Sequence, residues 1–255
     1  AAVWVCGLVW LAKTARFRFL AIAYVFLIAE MIVLHGKHYY PANVYPILIA
    51  AGAVAIESWT RRTVAARVAV LAAAAMWGVA LTPLSLPILP EDTFVAYSGG
   101  LASIFHIPRG ALATEHHRED SALPGDWADM HGWPELASTV ARVYDTLPAA
   151  ERMRAVVVGG NYGEASAVAF FTPHVPVISG HNQYWMWGTR GYSGDVIVDI
   201  GGDCGAKDHL FNTSTRAAVF TNRWAIGYEN DLPIMVCRGL RKPLANIWPA
   251  VKHYE

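Results

Sequence analysis

Apolar residues dominate the first third of the chain. They form four runs, 1–12, 17–35, 41–58 and 66–87, separated by short polar stretches. A helix needs roughly 20 apolar residues to cross a bilayer, so the pattern predicts four membrane helices, the first a short one. The connector after the first run carries Lys13, Arg16 and Arg18, and the one after the third carries Arg61, Arg62 and Arg67. Short basic connectors stay on the cytoplasmic side. Alternation then sets the turn Gly36-Lys37-His38-Tyr39-Tyr40 outside, and the chain beyond the fourth helix outside with it. Pro41 suits the first turn of the helix it opens, where a missing N–H costs nothing.

Beyond residue 90 the pattern changes to short apolar runs between polar and glycine-rich punctuation. Residues 91–130 read as irregular. Leu136, Val140 and Val143 lie on one face of a helix over 133–144. Strands are expected at 155–160, 175–180, 195–202, 217–220 and 233–237, with helices at 165–171, around 208–212 and at 244–251. Strand and helix signals alternate, which predicts an α/β domain with a mainly parallel sheet. The expected architecture is a membrane α-helical bundle over 1–90 followed by an extracytoplasmic α/β domain over 91–255.

Composition agrees with this division. The 255 residues are 55% hydrophobic and only 16% charged, against about a quarter charged in a typical soluble domain. Net charge is zero with no long basic run, so nucleic acid is not an expected partner. The chain opens on Ala1 inside an apolar run, without a charged leader or a small-residue cleavage pattern. That reads as a chain cut within a membrane helix rather than as a signal peptide. The three cysteines, Cys6, Cys204 and Cys237, lack CxxC spacing and so give no zinc signal. Cys204 and Cys237 are a possible disulfide if their domain lies outside the cytoplasm.

Three stretches carry candidate chemistry. The outer turn gathers Lys37, His38, Tyr39 and Tyr40, with Tyr45 just beyond. Glu30 sits inside the second apolar run, where a carboxylate faces a cavity or a partner, or reaches the headgroups. Gly180-His181-Asn182-Gln183-Tyr184-Trp185-Met186-Trp187 follows an expected strand end, where open α/β sheets bind ligands. Its amides and aromatic faces, above all Asn182, Tyr184 and Trp185, suit a sugar; an aromatic loop lying on a membrane surface is the equal alternative. Val158-Gly159-Gly160-Asn161-Tyr162-Gly163-Glu164 places glycines between a strand and a helix but matches neither GxGxxG nor GK[ST], so no nucleotide cofactor is expected. His116-His117 reads as a solvated loop rather than a metal site, and Asn212-Thr213-Ser214 is a sequon that matters only in a eukaryote.

Several of these stretches, in order, resemble bacterial glycosyltransferase family 39 proteins. These are relatives of the dolichyl-phosphate-mannose protein mannosyltransferases and of the aminoarabinose transferase of lipid A. The similar segments are Gly36-Lys37 with Tyr39-Tyr40-Pro41 and Tyr45-Pro46, Gly132-Trp133-Pro134-Glu135-Leu136, and Gly160-Asn161-Tyr162-Gly163-Glu164-Ala165. Further on come Ser179-Gly180-His181-Asn182-Gln183-Tyr184-Trp185, then Pro233-Ile234 with Val236-Cys237-Arg238-Gly239, and Trp248-Pro249 with Lys252. The resemblance implies the C-terminal part of an integral membrane enzyme with type C glycosyltransferase architecture. Such enzymes move a sugar from a polyprenyl-phosphate donor to a lipid, glycan or protein acceptor outside the membrane. The family's catalytic aspartate lies in a first external loop, so no residue here is assigned that role. Lys37 is expected to meet the donor phosphate, assisted by His38, with Tyr39, Tyr40 and Tyr45 lining the sugar or the first isoprene units. No cofactor is expected beyond the lipid-linked substrate, and metal dependence is open. The rival readings are a transporter fragment, in which Glu30 marks the path, and a non-catalytic membrane-anchored binding module.

Overall fold

The computed structural model describes residues 2–36, 39–106 and 122–254. Its contacts divide the chain into two compact units, Ala1–Leu89 and Pro90–Glu255.

The first unit is helical: α1 (Ala2–Lys13), α2 (Arg18–Val33), α3 (Tyr45–Thr60) and α4 (Val64–Ser85). A 3-10 turn, Tyr40–Val44, runs into α3. The helical stretch Tyr40–Thr60 and α4 are long and apolar enough to cross a membrane by length and composition; α1 and α2, at 12 and 16 residues, are shorter. Glycine sets the closest approach. A Cβ on Gly7 would stand 1.8 Å from the Leu48 carbonyl, and one on Gly52 would stand 2.0 Å from the Val3 carbonyl. The backbones of α1 and α3 therefore meet directly, the small-residue contact common between membrane helices. Leu11, Ala21, Leu48 and Ala51 are buried there, with Trp4, Tyr24 and Tyr45 packed against them.

The second unit holds a five-stranded sheet in the order β2-β1-β3-β5-β4. The strands are β1 (Ala155–Gly159), β2 (Val177–Ser179), β3 (Val196–Ile200), β4 (Phe211–Phe220) and β5 (Leu232–Leu240). The helices, α5 (Glu91–Ile104), α6 (Gly125–Ala128), α7 (Trp133–Asp145), α8 (Ala149–Arg152), α9 (Tyr162–Phe171), α10 (Asn182–Met186) and α11 (Leu244–Ile247), surround it. One face packs Val157, Val177, Val198, Ile234 and Val236 against α7 and α9. The other packs Val156, Ile178, Ile197 and Cys237 against Leu244 and Trp248. The alternation of neighbours Val156/Val157 and Ile197/Val198 between the two faces is the period of two that a strand buried on both sides requires.

Three sequence expectations are corrected. The sheet is not mainly parallel: β2-β1-β3 are parallel, but β5 runs antiparallel to both β3 and β4. The stretch around 208–212 is not a helix. A 3-10 turn ends at Asp208 and β4 begins at Phe211. The Asn-Thr-Ser polarity of that run is the surface of an exposed edge strand, where polar side chains discourage further pairing. Finally, 91–130 is not irregular throughout, because residues 91–104 form α5. Gly99 and Gly100 hid it, each costing about 1 kcal/mol of helix propensity. It is held instead by tertiary contacts: Phe94 is buried and stacks on Trp127 at 4.3 Å, and Asp92 pairs with Arg223 at 2.8 Å.

Candidate functional site

The loops that leave the carboxyl ends of β1, β2 and β3 converge, and the segment 244–254 closes over them. The order β2-β1-β3 makes the gap between β1 and β3 the point where the chain departs to opposite sides, the usual ligand crevice of such sheets.

On one side of this crevice lies a buried polar cluster. Asn161 caps α9, its Oδ1 accepting from the Glu164 N–H at 3.0 Å, while the Glu164 carboxyl reaches back to accept from the Gly160 N–H. This is close to a capping box, shifted by one residue. The Asn161 amide donates in turn to Glu229, which is buried beside Glu164. Burial first and the neighbouring Glu229 second push the Glu164 carboxyl up, two backbone hydrogen bonds pull it partly back, and the balance stands at about 9. The two carboxyls also share a side-chain hydrogen bond, so the pair holds one proton at neutral pH. His181, buried, accepts the Tyr162 N–H at its Nδ1 at 3.1 Å, which leaves the proton of a neutral ring on Nε2. Its ring stacks on His253 at 4.8 Å. His253 in turn sets Nε2 2.9 Å from the Gly160 carbonyl and Nδ1 2.9 Å from the Val251 carbonyl.

On the opposite sheet face the same loops enclose a cavity of about 260 Å³. Its walls include Val158, Ile197, Leu210, Phe211, Ile247 and Trp248, and Asp199 and His253 are its titratable groups. The Cys204–Cys237 disulfide forms part of the wall. One Asp199 carboxylate oxygen lies within 4.8 Å of both sulfurs, but sulfurs bonded to each other offer no thiolate to a metal.

The residues singled out from the sequence fall in different places. Tyr39 and Tyr40 meet edge to face at 5.0 Å and are both about half exposed. Tyr45 instead packs into the helical unit against Trp4 at 5.8 Å and Tyr24 at 6.3 Å. Glu30 is exposed on α2. Lys37 and His38, and the His116-His117 pair, lie outside the described residues. Asn182 opens α10 in the left-handed region (φ 49°), its N–H donating to the His253 carbonyl at 3.1 Å. The Tyr184 hydroxyl is 3.1 Å from the Ser166 hydroxyl. Trp185 clamps the closing segment: its indole donates to the Trp248 carbonyl and the Trp248 indole donates back to the Trp185 carbonyl, each at 3.0 Å. Lys252 lies 4.4 Å from the Trp185 ring centroid. Met186 and Trp187 are exposed apolar members of that loop, and Gln183 is exposed beside them.

Glu164, Glu229, Asp199 and His253 were not singled out by sequence reasoning. Asp199 had a readable signal: it shares the parity of Ile197 along β3, a carboxylate where the pattern calls for a core side chain. In comparisons with known proteins, the chain matches no family model, no curated protein and no solved structure.

Proposed function

We propose that this chain works within an integral membrane glycosyltransferase that moves a sugar from a polyprenyl-phosphate donor to an acceptor outside the membrane. The observation that carries the reading is α4: 22 apolar-rich residues with none buried, a surface that needs lipid or further helices around it. The activity comes from the motif resemblance, and the physical chemistry agrees with it. A lipid-linked donor keeps its tail in hydrocarbon and its phosphate at the interface, where a cation on an outer turn can hold it and stabilise the leaving group. Lys37 is that cation, with His38 beside it and the exposed Tyr39 and Tyr40 on the same turn. The disulfide supports an extracytoplasmic location for the second unit.

The test is transfer from a radiolabelled polyprenyl-phosphate sugar by the full-length protein in native membranes. Wild type is expected to transfer, Lys37→Ala to lose at least about tenfold, and Lys37→Arg to lose less. Undiminished transfer by Lys37→Ala would remove Lys37 from the donor site. A second reading, a membrane-anchored binding module, is favoured by the cavity. No transfer together with retained ligand binding would select it, and substrate flux in sealed vesicles without transfer would select a transporter.

A further inference from the structure

Position 199 is the anomaly of the second unit. Along β3, Ile197 and Asp199 face the same side of the sheet, where Ile197 packs with Val156, Ile178 and Cys237. Asp199 is half-buried, and a carboxyl drawn partly out of water among such neighbours costs free energy unless something compensates it. Compensation within the protein is slight. Oδ2 accepts one hydrogen bond, from the Cys204 N–H at 3.0 Å. Among the described residues no partner meets Oδ1, and no Lys, Arg or His lies within salt-bridge distance of either oxygen. The chain nonetheless makes room for the group: a Cβ on Gly202 would stand 2.1 Å from Oδ2. The carboxyl lines the cavity at the carboxyl ends of the parallel strands.

We propose that this cavity binds a compact organic amine, its ammonium group paired with the Asp199 carboxylate and its hydrocarbon body against the apolar walls. The inference goes beyond sugar transfer and does not depend on it. The chemistry selects the class. A carboxylate in an enclosure of low polarity attracts a cation far more strongly than it would in water. A metal ion needs several oxygen, nitrogen or sulfur ligands, and the two nearby sulfurs are spent on each other. An uncharged polyol needs several polar partners, and the walls offer few. His253 already holds both ring nitrogens close to carbonyl oxygens. The volume suits one six-membered ring and its amine. Burial raises the Asp199 carboxyl to about 6, with Asp203 adding to the shift and the Cys204 N–H opposing it. The group is therefore ionised at pH 7.5 and neutral at pH 5, while an alkylamine stays protonated throughout.

The probe is cyclohexylamine, with cyclohexanol as its uncharged counterpart, titrated calorimetrically into the full chain in detergent. At pH 7.5 saturable amine binding is expected, at least about tenfold tighter than the alcohol, and about fivefold or more weaker at pH 5. Asp199→Asn should abolish the preference for the amine. Ile247→Trp, which leaves the carboxyl in place and fills the chamber, should weaken the amine by a comparable factor, so the proposal stays testable if the first variant does not fold. Equal affinity for amine and alcohol, no binding of either by wild type, or amine binding unchanged in both variants would overturn it.

Discussion

Glu164 and Glu229 are two carboxyls in one buried site, and their shared proton makes stability depend on pH in a defined direction. The folded-state value of Glu164 lies near 9, above its ordinary 4.5. The folded protein therefore holds the proton more tightly than the unfolded chain does. The resulting stabilisation is complete below about pH 4.5 and is lost as pH rises toward 9. Thermal unfolding followed from pH 7 to 9.5 should show a falling midpoint. Glu164→Gln, which keeps an oxygen for the Gly160 N–H, should flatten that slope. An unchanged slope in the variant would place the alkaline loss elsewhere. Asp199 gives a further loss between about pH 4 and 6, below the range of this measurement. Half of the glutamate pair was legible in advance: Asn161 and Glu164 have the three-residue spacing of a cap and its reciprocal carboxyl. Glu229 was not, because its link to Asn161 spans 68 residues and no local period connects them. Asp199 was legible by parity alone; that no cation among the described residues pairs with it needed coordinates.

At the scale of elements, the segment 244–254 is the piece that completes the site. Its last residues add a short parallel bridge, His253 to His181, at the end of β2. Gly180 permits this, since a Cβ there would stand 2.2 Å from the Val251 carbonyl, a backbone atom that cannot swing aside. Gly180→Ala is expected to cost about 1–3 kcal/mol, the usual range for overpacking. It should also speed hydrogen exchange at the Asn182 and His253 amides, which bond across this contact. Exchange confined to wild-type rates would show that the segment is held by Trp185 and Trp248 alone. Elements with strong internal patterns were legible: Leu136, Val140 and Val143 marked α7, and the valine and isoleucine runs marked β1 and β3. Those dictated by long-range packing were not. The propensity of α5 is interrupted by Gly99-Gly100, and Phe94 on Trp127 decides it. β4 is mostly exposed and lacks a hydrophobic face to betray it, so only its pairing with β5 extends it back to Phe211. That same pairing turned an expected parallel sheet into a mixed one.

At the scale of the whole molecule, the proposal depends on which compartment each part occupies. The disulfide is one constraint. Cys204 and Cys237 are 33 residues apart in sequence, and cross-linking a loop of that size stabilises by about 3–4 kcal/mol on the chain-entropy account. Replacing both cysteines by alanine should lower stability by that order in protein made in an oxidising compartment. Reductant should have no further effect on the variant. The charge pattern is the second constraint and is independent of the first. Lys13 lies in a connector expected to stay inside, whereas Lys207, exposed in the loop before β4, is expected outside. Intact cells, or spheroplasts where an outer membrane is present, are treated with a membrane-impermeant amine reagent, and labelled peptides are identified by mass. Lys207 should be modified in intact cells and Lys13 only after lysis. The opposite order would reverse the topology and place Lys37 in the cytoplasm with the second unit. The outer turn would then have no donor phosphate to meet, and the disulfide would stand in a compartment that reduces such bonds. Two features that arose from different physics, the placement of arginines and the pairing of sulfurs, are thus tied to one measurement.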